Sequence, residues 1–444
     1  MLNIMNFSAK RYLTMLLPLA GLLSAGEVSS EPLSPDSLSL NTIIREVVQN
    51  HPLVKKAIEN LNTSDAKIGI AKAVNLPYVD LTSSYSRIGP ISQIDIPGMG
   101  SFAFMPRDNY SAGVNFSQTI SDFGKTEKTI SFEKKGKEIN LQSLEQVKQK
   151  LSEVAIQNYF ALVYLQEAIK IKDEQLRTLN EHLLFVQKKQ ATGSATQYEI
   201  LTTQVRISAI ENQKTDLTTL KEVQISHLNS LLGKPEQMSQ TVKNDLNFNI
   251  PILQSDTLIS SAMQNRDEMK LARQKAKLAE LNYSLTHSEN NPVVNAFASG
   301  GIHNGYFPNM YDPKANFVAG LGLKVPIFDG KRNKYKLVEA KSSILVIDQE
   351  TEISRRNIID EVIEGQTNLR AAQKKVEQSQ LQLRQSIQAY EMAKARFDAG
   401  VITNLELLDG STSVSESSLL LLKSRIDYTV NVFRLRAAIG ERLY

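Results

Sequence analysis

The side chains with the clearest chemical potential are Glu406 and Asp409. Their i,i+3 spacing puts both carboxylates on one helix face. Two acids near a helix start also complement the macrodipole and can stay solvated, so the residues alone leave both roles open. Other patterns exclude more than they offer. Asp122-Phe123-Gly124 mimics a kinase metal-binding motif, and Gly124-Lys125-Thr126 mimics the end of a P-loop. Thr119 stands where the P-loop's first glycine belongs, and the other kinase elements are absent. His51, His182, His227, His287 and His303 are scattered, with no pair at metal-ligand spacing. The chain has no cysteine, hence no thiol nucleophile, disulfide framework or thiolate metal site. No G-x-S-x-G elbow occurs. These residues predict no enzyme, no cofactor and no metal.

The positions of the acids fall within a larger pattern. Glu199 and Glu406 lie 207 residues apart, as do Gly193 and Gly400, Leu201 and Leu408, Leu228 and Leu435, and Gly233 and Gly440. Asp122-Phe123-Gly124-Lys125 faces Phe328-Asp329-Gly330-Lys331, with the glycines 206 apart. The chain is one design written twice: residues 27–240 as the first repeat and 241–444 as the second, with no Pro/Gly/Ser linker between them.

Residues 1–26 read as a signal peptide: Lys10 and Arg11, the apolar run Tyr12 to Leu23, then Ser24-Ala25-Gly26. That run falls short of the about 20 residues of a membrane span, and no later segment is apolar enough. The formal charge of +4 becomes +2 once Lys10 and Arg11 leave. Without a basic block, nucleic-acid binding has no support.

Residues 36–73 read as helical, with Leu40, Ile43, Ile44, Val47, Val48 and Leu53 at helical spacing and Pro77 ending the helix. The period then drops to 2. Val79, Leu81 and Tyr85 alternate with Asp80, Thr82, Ser84 and Ser86 over 78–88, and 109–118, 292–302 and 315–325 behave alike. Strands of about ten residues with one apolar face suit a tilted crossing of a bilayer, although any one of them would also suit an ordinary half-wet sheet. Segments 89–108 and 303–314, rich in Gly, Pro and Asn, read as exposed loops. Four strands cannot close, and open edges are not tolerated in lipid. Three chains would supply twelve strands.

Each second strand leads into a long run without proline, Lys125 to Gln190 and Lys331 to Asp398, within helical regions of about 125–232 and 331–440. At about 1.5 Å per residue each run reaches about 100 Å, and Leu176, Leu179, Leu183 and Val186 step by 3 and 4 as in a coiled coil. The fold class is mainly α with a β-barrel portion, a strand hairpin feeding a helical hairpin, twice.

This plan, with the junction Val325-Pro326-Ile327-Phe328-Asp329-Gly330-Lys331-Arg332 and the tip around Gly400, resembles the TolC family of outer-membrane efflux and secretion channels. At the junction, Pro326 ends the strand, and Asp329 and Gly330 lead into the turn. The resemblance implies a homotrimer with a twelve-stranded barrel in outer-membrane lipid and an α-helical barrel across the periplasm. It implies as partners a periplasmic adaptor and an inner-membrane pump of RND or ABC type, with the channel as a passive exit duct. It aligns Phe397 to Asp409 with the pore constriction. Glu406 and Asp409 would then form acid rings, which attract cations and whose crowding raises carboxylate pKa values. Members of the family hold the tip shut with an acid on the first hairpin bonded to Arg and Tyr on the second. Glu199 keeps the acid, whereas Ile402 and Phe397 replace the donors, with Lys394 or Arg396 as substitutes. Adaptor docking is implied at the tip turns, with Gly193, Thr196, Gly400 and Thr403. A soluble periplasmic coiled-coil scaffold or pump adaptor is the alternative, and export of protein or polysaccharide in place of drugs is the alternative cargo.

Overall fold

The computed structural model describes residues 37–244, 246 and 255–444; the signal-peptide segment lies outside them. In chain order the elements are helices α1 (Leu40–Asn50) and α2 (Pro52–Ala73), then strands β1 (Tyr78–Arg87), β2 (Gln93–Ile96), β3 (Gly100–Ala103) and β4 (Asp108–Ser121), followed by helices α3 (Lys125–Ala191) and α4 (Gln197–Leu232). The second half repeats the plan with α5 (Ser255–Asn265), α6 (Asp267–His287), β5 (Val293–His303), β6 (Lys314–Lys324), α7 (Arg332–Asp398) and α8 (Asn404–Ala438). Helices α3 and α7 are 67 residues each, and α4 and α8 are 36 and 35.

The expected single helix over 36–73 is two helices. His51 takes an extended conformation, ψ 136°, because a residue before proline is pushed out of the helical region. Pro52 then opens α2 at a position where its missing N–H costs nothing. The loop expected over 89–108 carries the short β2–β3 hairpin. Helices α5 and α6 have no counterpart in the sequence reading, yet they occupy in the second half the place of α1 and α2 in the first.

The main sheet runs β1-β4-β5-β6, antiparallel throughout. Its register aligns Leu81 with Val114, Val114 with Gly300, and Gly300 with Phe317. One face therefore carries Val79, Leu81, Tyr85, Tyr110, Val114, Phe317, Leu321 and Leu323. The other carries Asp80, Thr82, Ser84, Ser111, Asn115 and Ser299. Leu81 is 76% exposed and Phe317 88%, so nothing among the described residues covers the apolar face. On the polar face Asn115 donates to Asp80 at 3.0 Å and to Thr82 at 3.1 Å, and Ser84 and Ser111 meet at 2.7 Å. Among the described residues β1 and β6 are free edges.

The core lies below the sheet. Ile43 and Val47 of α1, Tyr159, Phe160 and Leu162 of α3, and Leu228 of α4 are fully buried in one cluster. Farther along the hairpins a smaller cluster joins Leu179 of α3, Ile207 and Ile210 of α4, and Leu408 of α8. That cluster holds the two helical hairpins together near their tips.

Candidate pore constriction

Both tips close in the same way. Gly193 and Gly400 adopt left-handed φ of 74° and 71°, a conformation that glycine reaches without strain. The following N–H reaches back five residues, Ser194 to Lys189 O at 2.8 Å and Val401 to Arg396 O at 2.9 Å. The glycine N–H bonds reach Gln190 O and Phe397 O. These are Schellman closures, which satisfy the last carbonyls of α3 and α7. Each return helix then starts on a capping box: Thr196 with Glu199, and Thr403 with Glu406.

The capping boxes reassign both glutamates within the chain. Glu199 Oε2 accepts from Thr196 N at 3.0 Å, and Glu406 Oε2 accepts from Thr403 N at 2.7 Å. The Thr403 amide holds the Glu406 carboxyl below its ordinary range, with the Thr403 hydroxyl assisting. Within one chain this direction is opposite to the rise expected from ring crowding. Glu199 makes no side-chain bond to the second hairpin; its carbonyl oxygen accepts from Asn404 Nδ2 at 3.2 Å.

The links between hairpins join Asp409 and Phe397, which the sequence singled out, to residues that it did not. Arg206 Nη2 donates to Asp409 Oδ1 at 2.7 Å. Asn404, buried at the start of α8, donates to Thr203 Oγ1 at 3.2 Å and meets His182 Nε2 at 2.6 Å through its Oδ1. Burial pushes the His182 pKa below its ordinary value, against the Asn404 hydrogen bond, which raises it. Phe397 is buried against His182, ring centroids 5.4 Å apart, and Lys189 Nζ lies 4.9 Å over the Phe397 ring and 4.8 Å over Phe185. Phe397 thus packs hairpin against hairpin, while Ile402 is half-buried in the tip turn. The expected substitutes Lys394 and Arg396 form no ion pair among the described residues. No local sequence signal marks Arg206, because its partner stands 203 residues away.

The strand-to-helix junctions also differ from the glycine alignment. Asp122 accepts from Thr126 N at 2.7 Å, and Asp329 accepts from Asn333 N at 2.8 Å. After each aspartate come two left-handed residues, Phe123 and Gly124 in the first half, Gly330 and Lys331 in the second. The structural offset is therefore 207, not 206, and Gly330 stands where Phe123 stands. Strand β6 ends at Lys324, two residues before Pro326.

An open sheet with an uncovered apolar face, set on paired helical hairpins, defines a membrane channel built from strand and helix hairpins. Among the described residues no helix is long and apolar enough to cross a membrane. The model for the outer membrane efflux protein family matches residues 43–234 and 258–441, and the chain belongs to that family. The chain is 23% identical to outer membrane protein TolC of Vibrio cholerae over 443 residues, covering 96% of this chain and 95% of the relative. It is 21% identical over 419 residues to the cation efflux system protein CusC of Escherichia coli K12, covering 90% and 86%. The Campylobacter jejuni CmeC outer membrane channel superposes with a TM-score of 0.73 at 18% identity, covering 96% of this chain and 94% of that one. The protein is an outer-membrane efflux exit duct whose helices extend into the periplasm. Its family is one of channels and not of enzymes.

Proposed function

We propose that three copies of this chain close a single duct, passive in itself and opened at the helical tips. The observation that carries this reading is the sheet: β1 and β6 are unpaired edges below a face of exposed Leu81, Phe317 and Leu321. Unpaired edges are costly in lipid, and three four-stranded sheets make a twelve-stranded barrel. A soluble scaffold would present that apolar face to water, which the periplasmic alternative does not explain.

The repeat supports the same closure in the helices. Within a chain α3 packs on α8, and the 207-residue offset makes α7 the counterpart of α3 and α4 the counterpart of α8. Leu408 is 2% exposed, but its counterpart Leu201 is 51% exposed, with Tyr198 and Val205 on the same side of α4. In a ring, α7 of the next copy covers this stripe. Gly193, Thr196, Gly400 and Thr403 then form the end of the duct, where a periplasmic adaptor and its inner-membrane pump, of RND or ABC type, would dock. Glu406 and Asp409 ring the constriction, and Arg206, Asn404 and His182 restrain it. Energy comes from the pump, and the duct performs no catalysis.

Cell fractionation followed by SDS electrophoresis with and without boiling tests the reading. An outer-membrane species that runs as a trimer until heated is expected. A monomer released with the soluble periplasmic fraction would overturn it.

A further inference from the structure

The two strand-to-helix junctions share a backbone and differ in charge. At the first, three cations are engaged: Lys128 Nζ bonds Ser288 Oγ at 2.5 Å, Lys137 pairs with Asp65 at 2.6 Å, and Lys135 pairs with Glu138, while Lys125 and Lys134 are in no ion pair among the described residues. At the second, Lys336 pairs with Glu289 at 2.6 Å, but Lys324, Lys331, Arg332, Lys334 and Lys341 are exposed and in no ion pair among the described residues. Asp329 offsets only part of that charge: its carboxylate stays negative, but it is committed to Asn333 N and Asn290 Nδ2 and forms an ion pair with none of the five cations. That commitment also occupies the first turn of α7, so any anion held here is held by side chains.

Immediately on the sheet side stand Ile327 and Phe328, 95% and 82% exposed. Lys331, Lys334 and Lys341 line an open groove with Tyr283, Asn290 and the acidic Asp329. Lys334 and Lys341 are seven residues apart, two turns along one helix face. Their counterparts in the first half, Glu127 and Lys134, stay exposed even though α2 and α6 cover α3 there. The same outward face therefore stays open when a neighbouring copy covers α7.

We propose that this junction binds the phosphate headgroup of an anionic phospholipid in the periplasmic leaflet of the outer membrane. Ile327 and Phe328 enter the acyl layer, and Lys331, Lys334 and Lys341 face the phosphate. Apolar side chains beside a cluster of cations at the end of a membrane-spanning element is the arrangement that recognises anionic lipid surfaces. A free phosphate would use the lysines but not the apolar pair. The inference rests on the reading of the sheet as a trimeric membrane barrel.

The trimer is reconstituted in bilayers of mixed zwitterionic and phosphatidylglycerol lipid, and the lipids retained after extraction are identified by native mass spectrometry. Phosphatidylglycerol is expected to be enriched over its bulk share. The Lys334→Gln/Lys341→Gln variant is expected to lose about 5-fold of that enrichment per lysine, the weight of one cation at an anionic surface, while Lys134→Gln at the first junction leaves it intact. A trimer that retains lipid without anionic preference, or equal losses in both variants, overturns the proposal alone. A protein that yields no lipid-bound trimer overturns the barrel reading as well.

Discussion

Arg206 of α4 and Asp409 of α8 meet at 2.7 Å, a direct charged tie between the two helical hairpins of one chain. The Arg206 side chain is 30% exposed and that of Asp409 60%, and such solvated pairs contribute up to about 1 kcal/mol. A restraint on an opening tip needs to be of this size, strong enough to bias the closed form and weak enough to release. Arg206→Ala should raise channel conductance in planar bilayers while lowering stability by no more than about 1 kcal/mol. The exchange Arg206→Asp with Asp409→Arg should return conductance toward the parent value. A conductance indifferent to all three changes would remove the pair from the gate.

Glu406→Gln keeps an acceptor for the Thr403 amide and removes the charge, whereas Thr403→Ala removes the cap and should cost about 1 kcal/mol. Glu406→Gln with Asp409→Asn should therefore reduce cation selectivity and block by multivalent cations without unfolding the tip. Because the folded-state pKa of Glu406 is depressed, its contribution is present above the ordinary value of 4.5 and is lost as pH falls through the lower folded value. Reversal potentials should stay cation-selective at pH 4.5 and collapse only below it. Loss of selectivity well above that pH would mean that crowding in the ring overrides the cap.

His182 gives the opposite sense at milder pH. Its folded-state pKa lies below the ordinary 6.5, so protonation favours the state in which it leaves Asn404. The hairpin contact is complete above 6.5 and weakens as pH falls from 6.5 toward the folded value. Asp398 and Glu199 favour the charged form and Lys189 opposes it. Conductance should rise on acidification through this window in the parent, and His182→Gln should flatten that response. An unchanged profile in the variant would assign the response to other groups.

Adjacent glycines on β5 should behave differently. A Cβ on Gly301 would lie 2.3 Å from Ala112 O and 2.6 Å from Gly113 Cα, while one on Gly300 meets nothing nearer than 3.9 Å. Gly301→Ala should force β4 and β5 apart and abolish the heat-sensitive trimer, and Gly300→Ala should leave it intact. Equal trimer yields from the two would argue against this register.

The absence of cysteine makes the proposed ring directly testable. Leu408 and Leu179 share a buried cluster within one chain, and their counterparts are Leu201 and Ser386. Leu201→Cys with Ser386→Cys should cross-link under mild oxidation into dimers and trimers. Products confined to monomer would exclude the α4–α7 contact between copies.

Alternation made the strands visible in the sequence, because a two-residue period leaves an apolar face that no helix pattern imitates. The long helices were visible because no proline interrupts them. Helices α5 and α6 were not, since part of the apolar face of α5 is Leu258 and Ala262 against α7, a partner about 100 residues away. The tip was legible in its turns, while its bonds within one chain were not. Glu199 and Glu406 bind their own helix starts, and the cross-links come from Arg206, Asn404 and His182, whose partners are distant in sequence. At the junctions, matching glycine to glycine misplaced the register by one, because Lys331 tolerates the left-handed conformation that Gly124 takes in the other half.

The equal length of α3 and α7 makes the molecule a pair of matched gauge rods. An insertion in one rod alone would lift Gly193 out of level with Gly400 and shear Asn404 from His182 and Arg206 from Asp409. The same heptad inserted at counterpart positions of both, and matched by a heptad in each return leg, α4 and α8, would keep every one of those contacts and move the whole tip about 10 Å farther from the membrane. Reach is thus free to vary only in step between the halves, so a lineage adjusting to a deeper periplasm must edit its chain at four places.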